Sequence, residues 1–186
     1  MSEFSISATA DDEYYLVYVG EPGFELHHDI GQQRVLLQRL LQAGEKFELG
    51  FYGAFAMNSM RLEKAYRAWG VDLTTERSPL EAGLGYLVKS ENREFIGRGA
   101  MLARQQRDDH WSMELLEFED PEFDPFYMHT LFRGDAAVGM VTSGSYGHRL
   151  QKAIGLAYLR TPVTRADQLN VEILGRTVNA RITRPL

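Results

Sequence analysis

Apolar side chains near the start of the chain follow the spacing of extended backbone. Residues 14–19 are all aromatic or aliphatic, and after Pro22 and Gly23 the chain alternates apolar and acidic positions from Phe24 to Leu26. Proline fixes φ and glycine accepts a positive φ, so this pair fits the two central positions of a type II turn. The pattern predicts an opening hairpin with strands at 14–19 and 24–28.

Helical spacing replaces this alternation further along. Leucines at 36, 37, 40 and 41 share one face of a helix, and Gly44 is a suitable end for it. From 54 to 69 apolar residues leave few wholly polar faces, which predicts a buried helix ending at Gly70. A strand is expected at 84–89, and a short helix should follow residue 97 and run to about 106.

The second half of the chain has the signature of short strands. Candidate strands lie at 110–117, 127–133, 136–142, 155–159, 168–174 and 177–183, with tight turns expected at 134–135 and 175–176. Strands at this spacing indicate a compact β-barrel or sandwich. The strongly polar residues 105–109 mark the boundary between the two parts. We therefore predict an α+β portion over 1–107, with an antiparallel sheet and two main helices, and a β portion over 108–186.

Composition and charge narrow the function classes. The chain has 186 residues, 44% hydrophobic and 25% charged, which is typical of a globular protein. Its net charge of −6 argues against nucleic acid as a partner. No apolar run approaches the length of a membrane span, and the first residues do not form a secretory signal. A cytoplasmic location is expected, with no membrane partner.

Common catalytic and cofactor motifs are not found. The chain has no cysteine, and its five histidines do not occur at metal-ligand spacing. Ser143 and Ser145 lie in a glycine-rich stretch, but neither is framed as a nucleophile elbow. Neither a dinucleotide fingerprint nor a P-loop is present, so this chain is not expected to have an FAD or NAD site of its own.

The turn at 22–23 carries the most specific candidate chemistry. Glu25 alternates with Phe24 and therefore faces away from it, beside a tight corner near the phenol of Tyr18. An ionised carboxylate there could accept two hydrogen bonds from a planar ligand with adjacent N–H donors. Taken alone, the same residues also fit a surface hairpin on which Glu21 and Glu25 are solvated.

Five sequence words, in order, resemble the C-terminal half of the glycine-cleavage T-protein (aminomethyltransferase) family. They resemble most the folate-binding C-terminal portion of dimethylglycine and sarcosine dehydrogenases. The words are VGEPGFE at 19–25, NSMRLEKAYR at 58–67, SPLEAGL at 78–84, FIGR at 95–98 and VTSGSYG at 141–147. The resemblance implies that the second portion is a small antiparallel β-barrel or jelly-roll-like domain.

The resemblance implies tetrahydrofolate as the ligand. Glu25 would accept the 2-amino group and the adjacent ring N–H of the pterin, and Tyr18 would line the pocket. Phe47 would supply an aromatic wall, although core packing explains it equally well. Arg61 would contact the glutamate tail of folate, or else belong to a solvated basic side paired with Glu63. Residues 142–146 of the last word would form a loop near the folate or the domain junction.

Two departures from the family bear on function. The family assigns its acid–base role to an aspartate in the N-terminal half, which has no counterpart here, so we name no catalytic residue. Met57-Asn58 stands where aminomethyltransferases commonly have Arg-Asp, which favours the dehydrogenase-linked branch.

Three functions remain open. The chain could be the folate-binding part of a one-carbon transfer enzyme for N-methyl amines such as dimethylglycine or sarcosine, working with a flavin-bearing subunit or a missing N-terminal half. It could be a non-catalytic accessory or truncated module. It could be a folate-dependent demethylase of another methyl donor. Exposed strand edges are expected in the first portion, and a homo-oligomer could cover them.

Overall fold

Six antiparallel strands close into a barrel in the second half of the chain. The computed structural model describes residues 19–20, 24, 26–88, 93–123, 125–160 and 162–186. Around the barrel the strands follow the order β1-β4-β3-β2-β5-β6. Their bounds are β1 Trp111–Phe118, β2 Thr130–Arg133, β3 Ala136–Gly147, β4 Lys152–Arg160, β5 Leu169–Ile173 and β6 Arg176–Ile182. The predicted antiparallel barrel is confirmed.

Strand β3 is longer than the sequence pattern predicted. It runs through 142–146, which we expected to form a loop, and it pairs with β4 as far as its last residue, Gly147. The glycines of this stretch meet close packing and not the geometry of a turn. A Cβ on Gly144 would lie well inside contact distance of the Pro125 carbonyl oxygen, and Gly144 pairs with Gly155 across the ladder. The expectation of a loop was therefore wrong.

Three α-helices precede the barrel among the described residues: α1 Gln33–Gly44, α2 Ala54–Glu63 and α3 Arg98–Gln105. Helix α2 begins where expected but ends before the predicted residue 69. The reason is local, because Ala65 has a φ of 53° and the N–H of Tyr66 turns back to the Arg61 carbonyl at 2.9 Å. None of the described helices is long and apolar enough to cross a bilayer.

The strand predicted at 84–89 is wrong over the described residues 84–88. Gly85–Leu87 forms a single 3-10 turn. Its neighbouring amides are satisfied locally, since Leu84 N–H bonds to the Pro79 carbonyl at 2.8 Å and Val88 N–H to the Gly85 carbonyl at 3.0 Å. Of the predicted opening hairpin, residues 14–18, 21–23 and 25 lie outside the described residues, and 26–28 are not in a strand.

Hydrophobic side chains form two cores, one on each side of the barrel wall. One core fills the barrel interior, and the other lies between α2 and the outer face of the barrel. Strand β4 contributes to both by alternation. Ala157 and Leu159 face inward, whereas Ile154, Leu156 and Tyr158 face α2. Because α2 covers the outside, β4 is buried along nearly its whole length.

Candidate functional site

Helix α2 is held on the barrel by side chains that bind the backbone of β3. Asn58 Nδ2 donates to the Gly144 carbonyl at 3.0 Å, and Ser59 Oγ donates to the Tyr146 carbonyl at 2.6 Å. Alternate carbonyls of a strand point the same way, so two adjacent residues in the middle of the helix can reach two of them. Two of the sequence words therefore meet at this junction.

A fully buried carboxylate lies at the centre of the junction. Asp72 has no solvent exposure. Its Oδ2 accepts hydrogen bonds from Arg61 Nη1 at 2.7 Å and from the Ala68 N–H at 2.8 Å. Its Oδ1 accepts from Thr142 Oγ1 at 2.5 Å and Ser143 Oγ at 2.7 Å. Four donors, one of them cationic, compensate the cost of removing this charge from water.

A β-bulge explains how two consecutive residues reach one oxygen. Neighbouring side chains of a regular strand point to opposite faces. Val141 pairs with Ala157 and Ser143 pairs with Leu156, so Thr142 is an extra residue in the ladder. A bulge of this kind redirects side chains, and it brings both hydroxyls to Asp72 Oδ1. The sequence word TSG thus forms a hydroxyl pair for a buried acid.

Arg61 uses most of its hydrogen-bond donors in bonds inside the protein. Its Nε bonds to Asn58 Oδ1 at 2.9 Å, and its Nη2 bonds to Ser143 Oγ at 2.8 Å. Its Nη1 bonds both to Asp72 and to the Tyr66 carbonyl, the latter at 2.7 Å. Four of the five guanidinium N–H groups are thereby used. The role of Arg61 in cofactor binding stays a prediction.

Tyr158 extends the network outward from Asp72. Its hydroxyl donates to the Asp72 carbonyl oxygen at 2.9 Å. Burial raises the pKa of Tyr158 to about 12, so the phenol stays protonated and remains a donor. The Arg77 guanidinium lies 5.2 Å from the centre of this ring and 4.6 Å from that of Trp111, in cation–π contact with both.

Glu81 forms a second buried acidic centre, between α3 and β1. Its Oε2 accepts from the Ser78 N–H at 2.9 Å, while Oε1 accepts from Arg104 Nε at 3.1 Å and from the Trp111 N–H at 3.2 Å. Burial alone would raise the pKa of Glu81, but these hydrogen bonds outweigh it and lower the pKa to about 2. The carboxylate is ionised at neutral pH.

Glu63 is a third buried acid, at the end of α2. Its Oε1 accepts the N–H groups of Arg149 at 2.6 Å and Leu150 at 3.2 Å in the β3–β4 turn. Its carbonyl accepts the N–H of Leu186 at 3.0 Å. Glu63 thus binds backbone amides, and the partner of Arg61 is Asp72 instead.

The structure places the residues that we proposed for ligand binding in different surroundings. Glu25 and Tyr18 lie outside the described residues. Phe47 ends a 3-10 turn after α1, is 74% exposed and has Lys46 Nζ 4.9 Å from its ring centre. It lines a surface hollow of about 490 Å³ with residues 42, 43, 45 and 46. Arg61 does not line this hollow.

Sequence reasoning missed the acids that organise the junction. Ser78-x-x-Glu81 has the form of a capping box, so Glu81 could have been found from its spacing. Asp72 lies between words and carries no local signal, because its donors are up to 71 residues away along the chain. Within the described part of the chain, no group of three or more histidine, aspartate or glutamate residues is arranged to hold a metal ion.

The geometry defines a class of protein in which a helical segment is docked by buried acids onto the outside of a closed antiparallel barrel. The family model for the GCVT N-terminal domain matches residues 15–92, and that for the glycine cleavage T-protein C-terminal barrel domain matches residues 114–186. The chain belongs to the glycine cleavage T-protein (aminomethyltransferase) family.

Relatives of the chain carry two kinds of name. It is 34% identical over 181 residues to mitochondrial dimethylglycine dehydrogenase of Mus musculus, covering 96% of this chain and 21% of that protein. It is 32% identical to an aminomethyltransferase of Pseudothermotoga lettingae, and this match covers 90% of this chain and 46% of that protein.

A solved structure shares the fold. The crystal structure of glycine cleavage system aminomethyltransferase T from Bartonella henselae matches with a TM-score of 0.75 and 25% identity, over 89% of this chain and 46% of that one. The chain spans about half the length of the aminomethyltransferases it matches, and about a fifth of the dimethylglycine dehydrogenase.

Proposed function

We propose that this chain is the tetrahydrofolate-binding, aminomethyltransferase-like portion of a one-carbon transfer enzyme that acts on N-methyl amines. The observation that carries the proposal is the match of two family models in chain order, at 15–92 and 114–186. The name of the dimethylglycine dehydrogenase relative supports an N-methyl amine as the source of the one-carbon unit. The division into 1–107 and 108–186 and a cytoplasmic location belong to the same proposal.

Glu25 is the proposed acceptor for the pterin. A carboxylate matches the 2-amino group and ring N–H of a pterin with two charge-assisted hydrogen bonds. Each such bond contributes roughly 1.5–3 kcal/mol, and a ligand without this donor pair would leave the carboxylate unpaired. Tyr18 would line the same pocket.

Phe47 is the described residue that best fits an aromatic wall for the pterin. Its ring is largely exposed, and the adjoining hollow of about 490 Å³ lies within the roughly 300–1,000 Å³ of small-molecule sites. Tetrahydrofolate, when bound, supplies the amine that takes up the one-carbon unit. The chain's own part is to bind and orient the pterin, which is catalysis by positioning.

The buried acids support that role indirectly. Asp72, Glu81 and Glu63 each accept three or more hydrogen bonds, and for each acid at least two of them come from the barrel or from the turn between its strands, backbone bonds included. A binding site works best when a rigid second layer fixes the residues that touch the ligand. In this proposal Arg61 acts through Asp72 and Ser143, and the remaining N–H group of its Nη2 would make the contact with the folate tail.

The test is a calorimetric titration of the purified chain with tetrahydrofolate under anaerobic conditions. Glu25→Gln should weaken binding about tenfold to a hundredfold, because it replaces an ionised acceptor with a neutral amide. Glu21→Gln is the matched control and should bind as the unmodified protein does. Equal affinities for Glu25→Gln and the unmodified chain would reject the role of Glu25. An unmodified chain that takes up no tetrahydrofolate would favour the non-catalytic module instead.

A further inference from the structure

Two arginines share the ring of one tryptophan on the outer face of the barrel, where β1 begins and β4 ends. The Arg77 guanidinium lies 4.6 Å from the centre of the Trp111 ring, and the Arg160 guanidinium lies 5.9 Å from it. Trp111 and Arg160 are directly opposite each other in the β1–β4 ladder. The two guanidinium groups are therefore no farther apart than the sum of these two distances, and one ligand can reach both.

Neither arginine has a carboxylate partner among the described residues. Arg77 Nη1 reaches only the backbone carbonyl of Glu76, at 3.5 Å. Arg160 takes part in none of the ion pairs in the described part of the chain. Asp109 lies within the field of Arg160, but its two oxygens accept hydrogen bonds from Arg107 at 2.8 and 2.9 Å. Two cations without a counter-charge thus face one ring, although the chain has a net charge of −6.

Arg67 adds a third cation beside Tyr158. Its Nε donates to the Ala82 carbonyl at 3.1 Å and its Nη1 to the Ala65 carbonyl at 2.9 Å, and both acceptors are neutral. Burial raises the pKa of Tyr158 to about 12, and the positive charges of Arg77 and Arg67 oppose that rise. Both charges therefore act on the same phenol, and the positive potential extends beyond the two arginines on the tryptophan.

The loop that carries Arg77 is held against the barrel by Glu81. The Trp111 N–H donates to Glu81 Oε1 at 3.2 Å, and the Met113 N–H donates to the Glu81 carbonyl at 2.8 Å. The N–H of Ser78, the residue after Arg77, donates to the same carboxylate at 2.9 Å. Because donors that are already fixed lose little conformational entropy when a ligand binds, this arrangement favours binding.

The pair of guanidinium groups defines the class of ligand. Each guanidinium presents its N–H groups in a planar fork that matches two oxygens of a carboxylate or a phosphate. A cation–π contact uses the charge of the guanidinium and not its N–H hydrogens. A small anion with two oxyanion groups can therefore bridge the pair. A long polyanion would instead be repelled by the net charge of −6 on the rest of the chain.

We propose that Arg77, Trp111 and Arg160 form a binding site for a small multivalent oxyanion, with at least two carboxylate or phosphate groups. Arg67 strengthens the positive potential of this site. The inference goes beyond the proposed function, because the site uses none of the residues to which folate binding is assigned.

Isothermal titration calorimetry at constant low ionic strength tests the proposal, with pyrophosphate in one titration and citrate in another. At least one of the two anions should bind the unmodified chain with a dissociation constant of about 1 mM or tighter. The anion that binds more tightly shows whether phosphate or carboxylate groups are preferred.

Variants of Arg160 test whether the guanidinium pair holds the anion. Arg160→Gln should weaken binding at least about tenfold, since one of the two charged forks is lost. Arg160→Lys keeps the charge without the fork and should recover only part of the affinity. Arg149→Gln is the matched control, because Arg149 is exposed in the turn at the opposite end of β4, and it should bind as the unmodified chain does.

Tryptophan fluorescence locates the bound anion. The chain has two tryptophans, so Trp69→Phe leaves Trp111 as the reporter. Its emission should change saturably, with the dissociation constant found by calorimetry, whereas sodium chloride at equal ionic strength should not change it. Three results would each overturn the proposal: no binding of either anion at about 10 mM, equal affinities for Arg160→Gln and the unmodified chain, or binding that leaves the Trp111 emission unchanged.

Discussion

Arg61 and Asp72 form an ion pair of 2.7 Å in the protein interior, and the Asp72 side chain has no exposure to solvent. The pair joins the end of α2 to the loop that follows it, and through Thr142 and Ser143 it also holds the barrel. Such a pair is costly to form but even more costly to break on one side, because the remaining charge stays buried.

Asp72→Asn should therefore destabilise the chain strongly. The amide keeps the shape of the side chain but leaves the Arg61 guanidinium without its counter-charge and offers one acceptor oxygen in place of two. We expect the free energy of unfolding to fall by about 3–5 kcal/mol. Urea denaturation followed by circular dichroism measures this change. Asp135→Asn, at an exposed turn, should change it by less than about 0.5 kcal/mol, and similar losses in both variants would contradict the central role of Asp72.

The hydroxyls of Thr142 and Ser143 should be energetically coupled. Both donate to Asp72 Oδ1, so removing one hydroxyl should make the stability of the protein depend more strongly on the other. Thr142→Val and Ser143→Ala should each cost about 1–3 kcal/mol, and Ser143→Ala should cost more because Arg61 Nη2 also loses its acceptor. A double-mutant cycle in urea should give a coupling above about 0.5 kcal/mol.

Ser145→Ala provides the control on the same strand, because no hydrogen bond of its side chain supports the junction. Alone, Ser145→Ala should leave the free energy of unfolding almost unchanged. Combined with Thr142→Val, its effect on that free energy should be additive. Additivity within about 0.3 kcal/mol between Thr142→Val and Ser143→Ala would show that the two hydroxyls act independently.

Glu81 should make the stability depend on pH in the acid range. Its pKa is about 2 in the folded protein against an ordinary 4.5, so the ionised carboxylate stabilises the fold above about pH 4.5 and this contribution is lost as the pH falls towards 2. Glu81→Gln should be less stable than the unmodified chain at about pH 6. The difference between them should shrink by about 2 kcal/mol by pH 3.

Thermal or urea unfolding at several pH values checks this expectation. Glu122→Gln, at an exposed position, should follow the pH profile of the unmodified chain. A constant difference between Glu81→Gln and the unmodified chain across this range would mean that the Glu81 carboxyl titrates normally in the folded state.

Two glycines should respond to alanine in opposite directions. A Cβ at position 144 would collide with Pro125, so Gly144→Ala should cost about 1–3 kcal/mol. Gly99 lies in α3 with no atom within 4 Å of an added Cβ, so Gly99→Ala should stabilise by about 0.5 kcal/mol. Melting temperatures of the two variants compared with the unmodified chain provide the measurement, and a Gly144→Ala variant of normal stability would disprove the close contact.

The barrel was predictable because its information is local. Alternation and turn residues gave all six strands, and Gly134 and Gly175 have the positive φ that their turns require. The loop expected at 142–146 was wrong because the glycine at position 144 allows close contact with Pro125 and does not form a turn. Pro125 is a neighbour in space and not in sequence. The helix predicted at 54–69 was too long at its C-terminal end. Tyr66 and Trp69 continue the apolar pattern after the backbone has turned at Ala65.

The candidate site was less accessible to sequence reasoning. The sequence words that contain Asn58 and Thr142 resemble a family. That resemblance did not indicate that these side chains form hydrogen bonds at the junction between helix and barrel. Asp72 could not be found because its bonding partners come from distant parts of the chain. The proposed roles of Glu25, Tyr18 and Phe47 rest on the resemblance and stay predictions.

Closure of the barrel also bears on how the purified chain will behave in solution. Every strand from β1 to β6 has a neighbour on both sides, so the barrel offers no template for the strand addition that seeds fibrils. Aggregation through the described part of the chain would instead involve hydrophobic contacts made by the exposed leucines of α1. A mild non-ionic detergent should then prevent it, whereas capping peptides designed against strand edges should have no effect.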